Sequence, residues 1–125
     1  MSILHSFLVS SQLWKLYGNV LRNAAYMFWT SDDVWNFKTK DDLIYIENIS
    51  KAKVLGATNN SKVILEALKE DKAGQLWKKG IPDANGYFTF ENSEVPKVLT
   101  ASFLGDLEIK GNIILRQIPG YLINC

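Results

Sequence analysis

The sequence predicts an all-β fold built from repeated units of about 40 residues, and two observations support this prediction. Residues 45–58, YIENISKAKVLGAT, align without a gap with residues 89–102, TFENSEVPKVLTAS, at an offset of 44 positions. The tripeptide Gln-Leu-Trp at 12–14 recurs at 75–77, each time followed by lysine. A period near 40 residues indicates units that are stacked or arranged around an axis.

Within each unit the residue types favour short strands separated by turns. Residues 43–46 and 87–90 are rich in β-branched and aromatic side chains, which favour strands. Glycine, proline, asparagine and aspartate cluster at 59–61 and 82–86, where they favour turns. No stretch shows sustained helical periodicity, so we expect a barrel or a sandwich of strands.

We expect residues 1–125 to form one domain, because a chain of this length can bury a core of its own. The best-preserved repeats span 43–86 and 87–125, and the copy in 1–42 is degenerate. By this alignment the chain starts inside one unit and ends at the opening of another.

The spacing of the tryptophans predicts that one unit is truncated. Trp14 and Trp35 are 21 positions apart, whereas Trp35 and Trp77 are 42 positions apart. A unit between residues 20 and 31 is therefore expected to have lost strands. Such a chain could fold as an incomplete barrel, complete its barrel with a second copy, or be part of a longer protein. Because an unclosed barrel leaves strand edges that can pair, a homodimer is one hypothesis.

Composition and charge exclude several function classes. The hydrophobic fraction of 47% and the charged fraction of 22% are those of an ordinary globular protein. A net charge of +1 does not predict a nucleic-acid partner, and no apolar run has the length of a membrane span. Residues 1–11 are predicted to contain a strand rather than a signal peptide. The only cysteine, Cys125, excludes an intramolecular disulfide, and the cellular compartment stays open.

No group of residues has the spacing of a catalytic or metal site, so we expect neither an enzyme nor a cofactor. His5 is the only histidine, and no catalytic motif surrounds it. The acidic pairs at 32–33 and 41–42 flank Trp35 and have the composition of solvated loops. No cluster of histidine and cysteine has metal-ligand spacing.

The repeat resembles the ricin-type β-trefoil lectin family, with the best agreement over residues 43–110. The resemblance rests on a Gln-x-Trp late in a 44-residue β repeat, followed by a turn, an aromatic strand and Lys-Val-Leu. It implies three four-stranded units around a pseudo-threefold axis, with six strands closing a barrel and six capping it. It also implies that the glutamine and tryptophan positions are structural anchors of the core, and these are Gln12, Trp14, Trp35 and Trp77.

The resemblance also indicates where a sugar would bind, and the chain departs from the family there. Galactose-binding members use an aspartate after the Lys-Val-Leu strand, an aromatic residue on the next strand, and an asparagine before the glutamine. In the best-preserved unit the corresponding positions hold Gly56, Glu66 and Gly74, followed by Gln75. The other units depart from the pattern as well, with Thr100 and Lys110 in one, and His5 and Ser11 in the other.

The leading prediction is a carbohydrate-binding, lectin-like module without catalytic activity, with a glycan as its partner. The alternative is a trefoil scaffold that binds another protein, as an inhibitor or a toxin-associated module, and has lost sugar binding. The missing aspartate, aromatic and asparagine set favours the alternative, whereas the frequency of sugar binding in the family favours the lectin.

Overall fold

The computed structural model describes residues 10–25, 34–102 and 107–111, and within these ranges the protein is all-β, as predicted. None of the helical segments in these ranges is long and apolar enough to cross a lipid bilayer. Two three-residue 3₁₀ turns, Ser10–Gln12 and Ala73–Gln75, each precede a tryptophan strand. The strands are β1 (Trp14–Tyr17), β2 (Val20–Asn23), β3 (Trp35–Lys40), β4 (Leu43–Asn48), β5 (Lys53–Ala57), β6 (Val63–Glu66), β7 (Trp77–Lys79), β8 (Phe90–Asn92), β9 (Val98–Ala101) and β10 (Leu107–Lys110).

Of the two strands predicted from β-branched and aromatic residues, one is present in full and the other only at its last residue. The segment 43–46 lies within β4, whose side chains are mostly buried. The segment 87–90 is wrong as a continuous strand, because β8 starts only at Phe90. The carboxylate of Asp83 accepts the main-chain N–H of Tyr87 at 3.0 Å, so a turn uses that donor instead of a strand ladder.

The strands form two sheets. Strands β1 and β2 form an antiparallel hairpin. The other eight strands form a sheet in the order β10-β9-β8-β7-β4-β5-β6, and β3 pairs with β4. The hairpin joins the large sheet through Trp14 and Phe88, whose main chains exchange hydrogen bonds of 2.8 and 2.9 Å.

The sheets do not close into a barrel within the described residues, contrary to the barrel that the sequence predicts. The order of the large sheet ends at β6 and β10, and each of these strands pairs with only one neighbour. The two strands instead line a groove of about 370 Å³, which also contacts Ser61 and Lys62. Asn23 and Trp35 are 12 positions apart, whereas Asn48 and Trp77 are 29 positions apart, and residues 26–33 of the shorter interval lie outside the described ranges.

The core lies between these strands and contains all three tryptophans that follow the repeat. Trp14 and Trp77 are fully buried, and Trp35 is 4% exposed. Phe37, Phe88 and Phe90 pack edge to face beside them, with centroid distances of 5.0 to 6.3 Å. The rest of this cluster is aliphatic and comes from most strands: Leu21, Ile44, Ile46, Leu55, Ala57, Leu99, Ala101 and Ile109.

Some sequence predictions fall on residues outside the described ranges. These are the predicted N-terminal strand, His5, the acidic pair at 32–33 and the C-terminal segment from residue 112.

Candidate functional site

The glutamine of the second Gln-x-Trp lies at the centre of a polar cluster. Gln75 is 1% exposed. Its Nε2 donates to Glu66 Oε2 at 2.8 Å and to the main-chain oxygen of Ala67 at 2.9 Å. Its Oε1 accepts the main-chain N–H of Lys69 at 2.8 Å. The amide therefore ties the segment after β6 to the 3₁₀ turn that precedes β7.

Glu66 is the charged member of this cluster. Its carboxylate accepts hydrogen bonds from Lys72 Nζ at 3.1 Å and 3.0 Å, one to each oxygen. The Glu66 side chain is 23% exposed and that of Lys72 is 41% exposed. The hydrogen bond from Gln75, aided by Lys72 and Lys69, lowers the pKa of Glu66 below its usual range, although burial opposes the shift.

Gly56 provides the space that this carboxylate occupies. Gly56 lies on β5, opposite Ile64 of β6. A Cβ atom on Gly56 would lie 2.6 Å from Glu66 Oε2, which is closer than non-bonded atoms approach. The Glu66 carboxylate therefore lies over Gly56, at the place that a short side chain at position 56 would fill.

Gly74 takes part through its main chain. Its carbonyl oxygen accepts a hydrogen bond from Asn92 Nδ2 at 2.9 Å. A Cβ at this position would lie 2.9 Å from the main-chain oxygen of Ala57 and 2.9 Å from Glu94 Oε1. The structure thus brings together the four predicted residues Gly56, Glu66, Gly74 and Gln75. Gly74 has no side chain that could contact a sugar, so it contributes only its main chain.

The first Gln-x-Trp repeats two of the hydrogen bonds that the second one donates, with acceptors on β9 and just after β10, although Gln12 Oε1 is buried without a partner among the described residues. Trp77 Nε1 donates to the main-chain oxygen of Leu55 at 3.2 Å, and Trp14 Nε1 donates to that of Leu99 at 3.0 Å. The two acceptors are 44 positions apart, which is the offset of the repeat.

The glutamines repeat this relationship. Gln75 Nε2 donates to the oxygen of Ala67, and Gln12 Nε2 donates to the oxygen of Gly111 at 3.3 Å. These acceptors are also 44 positions apart. The N-terminal Gln-x-Trp therefore occupies, beside β9 and β10, the position that Gln75 and Trp77 occupy beside β5 and β6.

Sequence reasoning missed an asparagine that lies opposite each of the three described tryptophans. In the strand register Trp14 faces Asn23, Trp35 faces Asn48, and Trp77 faces Asn92. Asn23 Nδ2 donates to the oxygen of Ser11 at 2.8 Å, as Asn92 does to Gly74. The recurrence of Glu-Asn at 47–48 and 91–92 was the available signal.

The Trp35 pair differs from the other two. Trp35 Nε1 and Asn48 Nδ2 are buried, and neither has a hydrogen-bond partner in the part of the chain that the structure describes. The third pair thus keeps the packing of the repeat and the hydrogen bond that Asn48 Oδ1 accepts, and it lacks the bonds that the indole and amide nitrogens donate in the other two pairs.

The unit that contains β9 and β10 does not repeat the polar cluster around Gln75. Thr100, at the position of Gly56, is buried and donates its hydroxyl to the main-chain oxygen of Val98 at 3.3 Å. Lys110, at the position of Glu66, forms an exposed ion pair of 3.5 Å with Glu108. Of the units described, only the one containing β5 and β6 places a carboxylate beside the glutamine amide.

The described residues contain no group of three or more histidine, cysteine, aspartate or glutamate side chains arranged to hold a metal ion. No protein-family model, no curated protein and no solved structure matches this chain. The resemblance to the ricin-type family therefore stays a prediction.

Proposed function

We propose that this protein is a non-catalytic carbohydrate-binding module on an incomplete β-trefoil, and that a neutral sugar binds beside Glu66. Three recurrent tryptophan–asparagine pairs support the trefoil, as do tryptophan and glutamine contacts that repeat at the 44-residue offset. The N-terminal Gln-x-Trp completes the unit formed by β9 and β10, so the units are arranged in a ring rather than in a row.

The position of the Glu66 carboxylate carries the proposal for sugar binding. In the family an aspartate at position 56 would present a carboxylate to two neighbouring hydroxyl groups. Here position 56 is a glycine, so no side chain of its own fills the space above it. The Glu66 carboxylate extends into that space from the next strand, β6. The carboxylate is thus supplied by a different residue at the same place.

Neighbouring groups supply the other hydrogen bonds that a sugar needs. A carboxylate offers about four lone pairs, and Gln75 and Lys72 donate three hydrogen bonds to it in the structure. The Lys72 ammonium is exposed enough to exchange a contact with the carboxylate for one with a hydroxyl. An acceptor and a donor side by side match two adjacent hydroxyl groups.

Ile64 provides the apolar surface in place of an aromatic ring. Ile64 and Glu66 are two positions apart on β6, so their side chains project from the same face of the sheet. Ile64 is 39% exposed. An aliphatic side chain attracts the C–H face of a sugar less strongly than an aromatic ring, so we expect binding in the millimolar range or slightly tighter.

The test is a glycan-array screen of the folded protein, with competition by free galactose and lactose. We expect sugar-competed binding that Glu66→Ala abolishes and Glu108→Ala, the matched control on β10, leaves intact. The double variant Gly56→Asp with Glu66→Ala returns the carboxylate to the family position and should recover binding. A clean negative from a folded sample, or equal effects of the two alanine variants, would overturn the proposal.

A second candidate is protein binding through the loop between β7 and β8, and one observation favours it. Ile81 is 94% exposed, the highest value among the large hydrophobic residues that the structure describes. The Asp83 carboxylate accepts the main-chain N–H of Asn85 and of Tyr87, which fixes the loop that presents Ile81. A loop that is held in one conformation and exposes an aliphatic side chain loses little conformational entropy when it binds a protein such as a protease.

This candidate is tested with a panel of serine and cysteine proteases. We expect inhibition by the unchanged protein, loss of inhibition in Ile81→Asp, and no change in Ile49→Asp, since Ile49 is also exposed at 44%. Absence of inhibition across the panel would reject the inhibitor hypothesis.

A further inference from the structure

The outer face of the β1–β2 hairpin carries two positive charges directly opposite each other. Lys15 and Arg22 are Cα partners in the strand register, so their side chains project from the same face. Like charges at directly opposed positions destabilise a pair of strands. A neighbouring carboxylate would normally offset this repulsion.

No carboxylate of the described residues forms an ion pair with Lys15 or Arg22. The ion pairs in these ranges involve other lysines, namely Lys38, Lys40, Lys72 and Lys110. Two cations are therefore held side by side with no anion between them. The chain thus provides a local positive field although its net charge is only +1.

An exposed aromatic ring lies next to both cations. Tyr17 is on the same face as Lys15, two positions along β1, and is 51% exposed. Lys15 Nζ lies 4.6 Å from its ring centroid, and the guanidinium carbon of Arg22 lies 5.1 Å from it. Both distances are within the range of cation–π attraction, so the cations hold the ring in place.

The loop after β7 fixes Lys15 from the other side. Lys15 Nζ donates to the main-chain oxygen of Asn85 at 2.8 Å and lies 5.7 Å from the Tyr87 ring centroid. Gly86 has a φ of +86°. A Cβ there would lie 3.3 Å from Lys15 Nζ and would strain both the backbone and the contact. The ammonium group is therefore positioned before any ligand arrives.

We propose that this surface, formed by Lys15, Tyr17, Arg22 and Tyr87, is a second binding site that takes an anionic sugar. A carboxylate or sulfate on the sugar binds Lys15 and Arg22, and the guanidinium can pair with it through two parallel hydrogen bonds. The C–H face of the sugar ring packs on Tyr17, whose ring face carries partial negative charge. The site shares no residue with the Glu66 cluster and goes beyond the proposed function.

The size of the surface favours a single charged sugar over a nucleic acid. Affinity for nucleic acid grows with the number of phosphates neutralised, and the described residues of this face supply two cations. A pair of cations beside the exposed Tyr17 ring matches a single sugar ring that bears one negatively charged group.

The test uses three small probes that separate the contribution of the sugar ring from that of its negative charge. Methyl glucuronide has a sugar ring and a carboxylate, methyl glucoside has only the sugar ring, and acetate has only the carboxylate. Binding is followed through the main-chain amide resonances of residues 15–22 and 85–87 in NMR titrations of the full chain. We expect methyl glucuronide to bind at least about tenfold more tightly than either of the other probes, with an affinity that falls as salt is added.

Four variants decide whether these residues form the site. Arg22→Gln and Tyr17→Ala should each weaken glucuronide binding about tenfold, and their exposed positions should leave the fold intact. Lys53→Gln removes the same charge at an exposed position on β5 and should have no effect. Glu66→Ala should also leave glucuronide binding unchanged, so this site can fail or succeed independently of the neutral-sugar site.

The opposite outcomes would overturn the proposal. Equal binding of glucuronide and acetate would mean that the ring makes no contact. Equal effects of Arg22→Gln and Lys53→Gln would mean that only the overall charge matters. Resonance shifts confined to an acidic protein or peptide probe, with none for glucuronide, would assign the surface to a protein partner.

Discussion

The indole nitrogen of Trp14 donates a hydrogen bond of 3.0 Å to the main-chain oxygen of Leu99, although 85 positions separate the two residues. This bond joins the beginning of the described chain to its penultimate hairpin strand, and Trp77 makes the equivalent bond to Leu55. Two indole hydrogen bonds of the described residues are therefore related by the repeat offset, and the Trp14 bond forms only when residues 14 and 99 are brought together.

Substituting phenylalanine for each of Trp14, Trp35 and Trp77 should destabilise the protein by different amounts. Trp14→Phe and Trp77→Phe each leave a buried carbonyl unpaired, and Trp35→Phe does not, because its indole nitrogen has no partner among the described residues. We expect the first two to lose about 1–3 kcal/mol more free energy of unfolding than the third. Urea unfolding of the three variants measures this, and equal losses would contradict the assignment of the hydrogen bonds.

The asparagines should follow the same order. Asn92 forms three hydrogen bonds, with Gly74, Glu94 and Val95, whereas Asn48 forms one, with the main-chain N–H of Lys51. We expect Asn92→Ala to lower the free energy of unfolding by about 2–4 kcal/mol and Asn48→Ala by about 1 kcal/mol. Thermal unfolding followed by circular dichroism tests this order. An Asn48→Ala variant as unstable as Asn92→Ala would show that the third pair has partners of equal strength.

Gly56 and Glu66 should be energetically coupled. A Cβ at position 56 displaces the Glu66 carboxylate from Gln75, so Gly56→Ala should cost about 1 kcal/mol. In a Glu66→Ala background the same substitution meets no carboxylate and should cost nothing or stabilise the chain. A double-mutant cycle from chemical denaturation gives the coupling energy. Additive effects would place the Glu66 carboxylate away from Gly56.

The lowered pKa of Glu66 predicts the direction of one part of the acid response. Because the folded-state pKa lies below the usual value of 4.5, the unfolded chain binds this proton more tightly. The stabilisation is therefore present above pH 4.5 and is lost as the pH falls through the folded-state pKa. In Glu66→Gln the melting temperature should therefore fall less steeply with decreasing pH in this window than in the unchanged protein. Parallel curves for the two proteins would contradict the shift.

The sequence predicted the repeat, its tryptophans and the residues around Gln75, because side-chain type and spacing determine these features locally. It did not predict that Glu66 extends over Gly56, since that contact depends on the register of β5 against β6 and on a side-chain direction. The described strands do not close into the predicted barrel, and the edge strands of the large sheet, β6 and β10, do not pair with each other. The cross-strand position of Lys15 and Arg22 likewise required the hairpin register.

Among the described residues β6 and β10 each pair with a single neighbouring strand, so the dimer hypothesis is testable. An edge strand presents unpaired main-chain groups to a second chain. If a copy completes the sheet, sedimentation velocity should show a concentration-dependent dimer. A monodisperse monomer at all concentrations would remove the hypothesis.

The side-chain amide resonance of Gln75 provides the most direct measurement of the central claim, which is that a neutral sugar binds at the Glu66 carboxylate. Gln75 Nε2 donates to that carboxylate at 2.8 Å, so a sugar that engages Glu66 must shift this resonance. In an NMR titration with galactose or with a neutral sugar from the array, we predict a saturable shift at Gln75 that is absent from Glu66→Ala. A folded protein whose Gln75 resonance does not move at saturating sugar would contradict the account.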